Sequence, residues 1–274
     1  SVTAGGSGNG STLVSNPYAC PIDYSDVVAN SGAGTLHANF AILLETGSYA
    51  VSPNGGVIAP NQGFMAIALL SGNIKFDEFV KNTVTNPNII RTGNSENYLR
   101  ITASNSTNGL GGETVVNIKP DAHNGKDLAI DMPYLASPYE DATNIWTMDN
   151  DGDDLLLNAL DGIQDKLDIP LIVNSGTPGE QLLSFNGLNS FSAYSCAWLE
   201  DLATGEKINL KEHDTYSFHA DAAGEKHSFN LHFERDGNCP LSEQMLTPSL
   251  DASSQVFINN GNILVKFGFE EKSD

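Results

Sequence analysis

Three aspartates at alternate positions crowd one short segment, Asp149-Asn-Asp-Gly-Asp-Asp154. Carboxylates at Asp149, Asp151 and Asp153 can converge on one Ca²⁺, because a hard cation takes several oxygens at once. The segment departs from an EF-hand loop: its sixth residue is Asp154 where that loop has glycine, and its twelfth is Leu160 where that loop has glutamate. Asp161, beside Gly162, is one more oxygen donor close by. The plainer reading of the same residues is an acidic β-turn joining strands at Trp146 and Leu155. Ca²⁺ is the one cofactor that the sequence suggests.

Other reactive residue types lack the spacing that chemistry needs. The six histidines, His37, His123, His213, His219, His227 and His232, are scattered, and no His-x-x-x-His or glutamate-paired zinc motif exists. His232 lies between Leu231 and Phe233, so on a strand it points away from their face. Gly5-Gly-Ser-Gly-Asn9 matches a Gly-x-Ser-x-Gly nucleophile motif only in part and sits in a Gly-rich leader. Carboxylates are so abundant that choosing two for glycoside hydrolysis is arbitrary. The expectation is a protein that is not an enzyme. Aromatic rings offer a different chemistry, since a ring face stacks on the C–H face of a sugar. Candidates are Tyr18, Tyr24, Tyr49, Trp146 and Trp198. Trp146 within Ile145-Trp-Thr-Met148 and Trp198 beside Leu199 read as core, whereas Tyr49 and Tyr139 stand in polar contexts and read as exposed.

Charge narrows the partners. Among 274 residues, 34 acids face 13 bases, for a net charge of −21. Such a field repels nucleic acid and anionic membrane surfaces and favours high solubility in salty or extracellular surroundings. No apolar run approaches the roughly 20 residues that cross a bilayer, so membrane insertion is not expected. The chain starts Ser1-Val-Thr-Ala-Gly-Gly and shows no signal peptide, as a mature or excised fragment does. Three cysteines, Cys20, Cys196 and Cys239, fit no zinc pattern and allow three disulfide pairings. Cys196–Cys239 is favoured because both flank strands of one expected sandwich; three unpaired thiols are the alternative.

The elements that must position these residues are strands. Period-2 or short apolar runs occur at Asn39–Leu44, Ser48–Val51, Gly63–Leu70 and Ile74–Phe79, then at Tyr98–Thr102, Glu113–Ile118, Asn144–Met148, Asp154–Asn158, Ile169–Val173 and Gln181–Phe185. Within Leu13 to Asp26, Asn16-Pro-Tyr-Ala-Cys-Pro-Ile-Asp23 reads as a loop fixed by Pro17 and Pro21, and the first strand is expected from residue 13. The one helix-like stretch is Asn124 to Leu135, a turn or single helical turn. Ala197–Leu210 reads as strand, tight turn and strand, with Gly205 supplying a positive φ in Ala203-Thr-Gly-Glu206. Tyr216–Ala220 and His227–Phe233 follow. Thr83 to Asn97 reads as a polar loop and Gly237 to Pro248 as a linker. Ser254–Phe269 reads as a hairpin around Asn259-Asn-Gly-Asn262, and Glu270–Asp274 as a charged end. Turn signals recur about every ten residues, which suits a sandwich and not βαβ units.

Five segments, in order along the chain, resemble one family. Asn16-Pro-Tyr-Ala-Cys-Pro-Ile-Asp-Tyr24 resembles Asn-Pro-Tyr-Pro-Ser-Pro-Ile-Asp-Trp, and Ile58-Ala-Pro-Asn-Gln-Gly-Phe-Met-Ala66 resembles Ile-Pro-x-x-Gln-Gly-Phe-Phe-Val. Glu113-Thr-Val-Val-Asn-Ile-Lys-Pro-Asp-Ala-His-Asn-Gly125 resembles Glu-Thr-Val-Ile-Tyr-Phe-x-Pro-x-Ala-Thr-x-Gly. Leu199 to Gly205 matches Leu-Glu-Asp-Leu-x-Thr-Gly, and Ser228 to Phe233 resembles Arg-Phe-x-Leu-His-Phe. Together they are similar to the β-rich module that precedes the C-terminal sorting domain of Bacteroidota proteins secreted by the type IX system. Cys20 replaces a proline or serine, and Tyr24 replaces the family's tryptophan. The final hairpin resembles the opening strands of the sorting domain, whose remainder is missing. The resemblance implies export, with display on the cell surface or release from it. It implies no reaction, and it gives these motif residues structural roles only.

The fold expected is all-β, made of antiparallel β-sandwich or jelly-roll-like modules. Residues 1–95 are read as a jelly-roll-like portion that lacks a strand partner, 96–235 as an antiparallel sandwich, and 236–274 as linker and C-terminal hairpin. The missing partner can come from upstream residues, from the tail 255–269 or from another subunit. The function expected is that of a non-catalytic extracellular or cell-surface structural or adhesive protein, self-assembling, with other copies, other surface proteins or glycans as partners. The alternative is a carbohydrate-binding accessory module of a secreted polysaccharide-acting protein.

Overall fold

In a computed structural model the regular elements of the described residues are almost all short strands. The structure describes residues 1–4, 10–52, 55–83, 98–162, 164–236 and 239, and the backbone of 255–259 and 262–266. The expected polar loop beyond Thr83, the Gly237–Pro248 linker apart from Cys239, the Gly5–Asn9 serine segment and the charged end Glu270–Asp274 lie outside the described residues.

The N-terminal elements are β1 (Ser11–Ser15), β2 (Ile22–Asp23), helix α1 (Tyr24–Ser31), β3 (Leu36–Leu43), β4 (Tyr49–Ser52), β5 (Val57–Ile58) and β6 (Gly63–Ala68). They make a four-stranded antiparallel sheet, β1-β6-β3-β4, with β2 and β5 as a separate ribbon. One face of the sheet carries Phe40, Phe64 and Ala66 against Tyr24 and Val27 of α1. The Tyr24 and Phe40 ring centroids are 4.8 Å apart. The opposite face carries Ala41 and Ile67, which join Val51, Val115, Leu156 and Leu157 in a core cluster shared with the second half of the chain.

Sequence and structure differ twice in this half. The loop expected at Asn16–Asp23 holds as far as Pro21 and ends in β2, but the helix α1 that follows was not expected. The Asp23 side chain caps α1 by accepting the Ser25 N–H at 2.9 Å, and Tyr24, Val27 and Ser31 bury one stripe. Eight residues with two valines form a helix because that stripe packs, not from intrinsic propensity. Asn124 to Leu135, expected as a turn or single helical turn, holds a turn in which the Ile130 and Asp131 N–H groups share the Asp127 carbonyl, followed by a short strand at Met132–Pro133. The strand expected at Ile74–Phe79 is absent: Asp77 accepts the Phe79 N–H and starts a 3-10 turn at Glu78–Val80.

The second half contains β7 (Tyr98–Asn105), β8 (Gly111–Ile118), β9 (Met132–Pro133), β10 (Asn144–Met148), β11 (Asp154–Leu160), β12 (Lys166–Asn174), β13 (Gly179–Asn186), β14 (Cys196–Asp201), β15 (Lys207–Asn209), β16 (Thr215–Ala220) and β17 (Lys226–Glu234). They run as one continuous path, β15-β14-β17-β12-β10-β11-β8-β7-β13-β16, with β9 on β11. The path folds over itself. Phe218 and Tyr216 of β16 meet Phe229 of β17 at ring distances of 5.2 and 6.0 Å, so the two ends face each other across one core. Leu171, Leu183, Leu199, Leu231 and Phe233 fill it; each such side chain contributes about 1.5–3 kcal/mol of burial. The fold is therefore an all-β sandwich. The β8–β11 pair is parallel, within a set of otherwise antiparallel pairs.

Local chemistry follows the sequence reading at the β14–β15 turn. The Asp201 carboxylate accepts the Ala203 N–H at 2.8 Å, and Gly205 takes φ 75°. Cys196 and Cys239 form a disulfide, the favoured pairing, and Cys20 is a free thiol. The tail pairs as β18 (Gln255–Asn259) with β19 (Asn262–Lys266), the expected hairpin.

Candidate functional site

Alternation along β7 builds the floor of a groove. Leu99, Ile101 and Ala103 enter the core, so Arg100, Thr102 and Ser104 face outward. On the neighbouring strands Glu113 and Ser184 stand opposite Thr102, and Asn186 stands opposite Arg100. The wall is the β3–β4 hairpin, closed by the Leu44 N–H on the Ser48 carbonyl at 2.8 Å and docked through the Thr46 carbonyl, which accepts the Gly111 N–H at 2.9 Å. Floor and wall enclose about 690 Å³.

An ion pair ties the wall to the floor. Arg100 donates to Glu113, its diagonal neighbour across the β7–β8 ladder. The same guanidinium donates to the Val51 carbonyl at 3.0 Å, and Glu113 accepts the Val51 N–H at 3.3 Å. Val51 is opposite Ala41 on β3, and its own N–H and C=O point outward from the sheet. The two side chains thus do for β4 what a neighbouring strand would do. With their charges satisfied on each other and on Val51, the groove presents hydroxyls and an amide: Thr102, Ser104 and Asn186. Ser48 is 7% exposed and lines the groove, and its buried hydroxyl has no partner among the described residues.

The residues singled out in the sequence lie elsewhere. Asp149 is 6% exposed and turned into its own loop, where one oxygen accepts the Asp151 and Asp153 N–H groups at 3.0 and 2.8 Å. Asp151 accepts the Lys126 N–H at 3.1 Å, and Asp153 pairs with the Lys126 ammonium at 2.9 Å. The three carboxylates are brought to one loop and directed to separate partners. Among the described residues no group of three His, Cys, Asp or Glu side chains is arranged to hold a metal ion.

Of the candidate rings, Tyr24 and Trp146 are buried, Tyr49 and Trp198 are half-buried, and Tyr139 is 42% exposed. Phe79, which carried no sequence signal beyond its place in an apolar run, is 85% exposed. His232 does point away from the Leu231 and Phe233 face. It stacks on Trp198 at 4.8 Å and meets Asp168 at 2.5 Å and Glu200 at 3.0 Å. Among the interior imidazole and carboxyl groups, two are strongly perturbed. Burial holds His37 down to about 4, and burial pushes Asp131 up to about 6 against the pull of the Ala159 and Asp127 N–H groups it accepts.

The groove had no signature in the sequence. Its polar residues come from three strands and a hairpin, and serines, threonines and an Arg/Glu pair are common on any sandwich surface. The one available hint was the alternation Tyr98-Leu-Arg-Ile-Thr102, which places arginine and threonine on one outward face. No protein-family model, curated protein or solved structure matches this chain.

Proposed function

We propose that this is a non-catalytic protein of the extracellular space or outer cell surface, adhesive in character, which holds a neutral polyhydroxyl chain, a glycan, in the β7–β8–β13 groove. The observation that carries this reading is the groove itself. Its charged pair is internally neutralised, and its remaining polar groups are hydroxyls and an amide, those of Thr102, Ser104 and Asn186. Such groups donate and accept equally well, as sugar hydroxyls require, and the volume suits a few sugar units. The surrounding charge of −21 disfavours sulfated or uronic chains. The Cys196–Cys239 disulfide supports an oxidising, extracellular location, and the motif resemblance supports export through the type IX system.

A screen on a glycan array, followed by calorimetry with the best neutral oligosaccharide, tests the reading. Thr102→Trp fills the middle of the groove from an outward-facing position, so it is expected to weaken binding at least about tenfold, roughly 1.4 kcal/mol, while the circular dichroism spectrum is unchanged. Absence of any neutral glycan hit, or binding indifferent to Thr102→Trp, sinks the proposal.

A further inference from the structure

We infer that the outer edge of β1 pairs with β1 of a second copy of this chain, in antiparallel register about a two-fold axis at Leu13. The inference stands apart from the groove and from any glycan.

The ladder to β6 determines which backbone groups of β1 are spent. Gly10 accepts from Ala68 and Asn16 donates to Gln62, in the same register that pairs Thr12 with Ala66 and Val14 with Phe64. The even-numbered residues therefore direct their N–H and C=O groups to β6, and Ser11, Leu13 and Ser15 direct theirs outward. Among the described residues no strand pairs with that edge, since β1 ends the order β1-β6-β3-β4. Open edges are usually blunted with charge, proline or a bulge. β1 has none of these, and Leu13 on it is 73% exposed.

Charge argues for a second copy as the occupant. In a chain of net charge −21, no Asp, Glu, Lys or Arg occurs from Ser1 to Ile22 or from Thr46 to Ile74. Strands β1, β3, β4 and β6 contain none of the four residue types. Two copies that repel each other over most of their surfaces meet least repulsion along this sheet.

The sequence of β1 argues for the register. Ser11-Thr-Leu-Val-Ser15 is nearly palindromic in shape, because threonine and valine are close to isosteric. A two-fold axis at Leu13 sets Ser11 opposite Ser15, Thr12 opposite Val14 and Leu13 opposite itself. The outward-directed residues then fall on hydrogen-bonded pairs, each exchanging both N–H···O bonds, and the two exposed leucines cover each other. The contact is isologous, and it joins two four-stranded sheets into one.

Light scattering on the full chain over a concentration series tests the inference. The expected mass rises from one chain, 29.2 kDa, to twice that value. Leu13→Lys places like charges face to face at the axis and is expected to leave a monomer with an unchanged circular dichroism spectrum. Leu13→Glu does the same alone, and mixing the two variants is expected to restore the dimer. A cross-link fixes the register: in a Cys20→Ser background, Leu13→Cys is expected to give a covalent dimer on mild oxidation, because residues in a hydrogen-bonded pair lie about 5.5 Å apart at Cα, within disulfide reach. Leu202→Cys, exposed on the other half, is the control and is expected to stay uncross-linked. A monomer at every concentration, or a dimer that survives both charged variants, overturns the inference.

Discussion

At His37 an imidazole is fully buried and neutral, and this makes folding pH-dependent in a direction that can be worked out. Burial lowers its folded value to about 4 from an ordinary 6.5. The folded state thus binds fewer protons than the unfolded chain between those limits. The contribution of His37 is fully present above pH 6.5 and is lost as pH falls toward 4, by about 3 kcal/mol. Asp131 runs the other way: its folded value is raised to about 6, so its contribution is present below the ordinary 3.8 and lost as pH rises through 6. His37→Asn keeps an acceptor near the Asn39 N–H and removes only the first slope. The variant is expected to be less stable than the parent at pH 7 and to close that gap by about 3 kcal/mol at pH 4, read from urea midpoints. A gap that does not change with pH would mean that His37 is not held neutral.

Among the elements, β4 depends on side chains for its outer hydrogen bonds. Glu113→Ala leaves the Val51 N–H without its acceptor and Arg100 without its counter-ion in a half-buried place. The expected loss is about 2 kcal/mol by chemical denaturation, with an unchanged m-value if only the native contact is affected. The strands themselves were the legible part of this molecule. Asn144–Met148 has the same limits in sequence and structure, and the runs at Ile169–Val173 and His227–Phe233 are the middles of β12 and β17. Period-2 burial writes itself into sequence because each strand must alternate to serve one core. Helix α1 was illegible, since eight residues give barely two turns of pattern and its cap, Asp23, looks like any loop aspartate. The groove was illegible for another reason. Ser48 and Thr102 meet only because the β3–β4 hairpin folds back onto β7, and nothing local encodes that approach. The aspartates of 149–154 are the reverse case: a strong local pattern in which Asp149 Oδ1 and Asp151 accept from backbone amides and Asp153 pairs with Lys126, while Asp149 Oδ2 is buried without a partner among the described residues.

For the whole molecule, charge is divided unevenly: the N-terminal sheet is bare and the sandwich around it is acidic. Self-repulsion therefore opposes compactness and opposes association without touching the contact that β1 makes. Raising salt from about 50 mM to about 500 mM screens that repulsion, shortening the Debye length severalfold. Thermal midpoint and dimer affinity are both expected to rise, by calorimetry and by sedimentation. An affinity that falls with salt would show that ion pairs, not an uncharged strand edge, join the copies.

The ion pair on Val51 also decides how far such joining can go. A β1-to-β1 sheet has β4 at each end, and at each end Arg100 and Glu113 already occupy the outward N–H and C=O of Val51. An edge used against itself is consumed, and the edge left over is stoppered. Growth terminates at two chains, so the sheet makes a clasp between neighbours and cannot propagate as a filament.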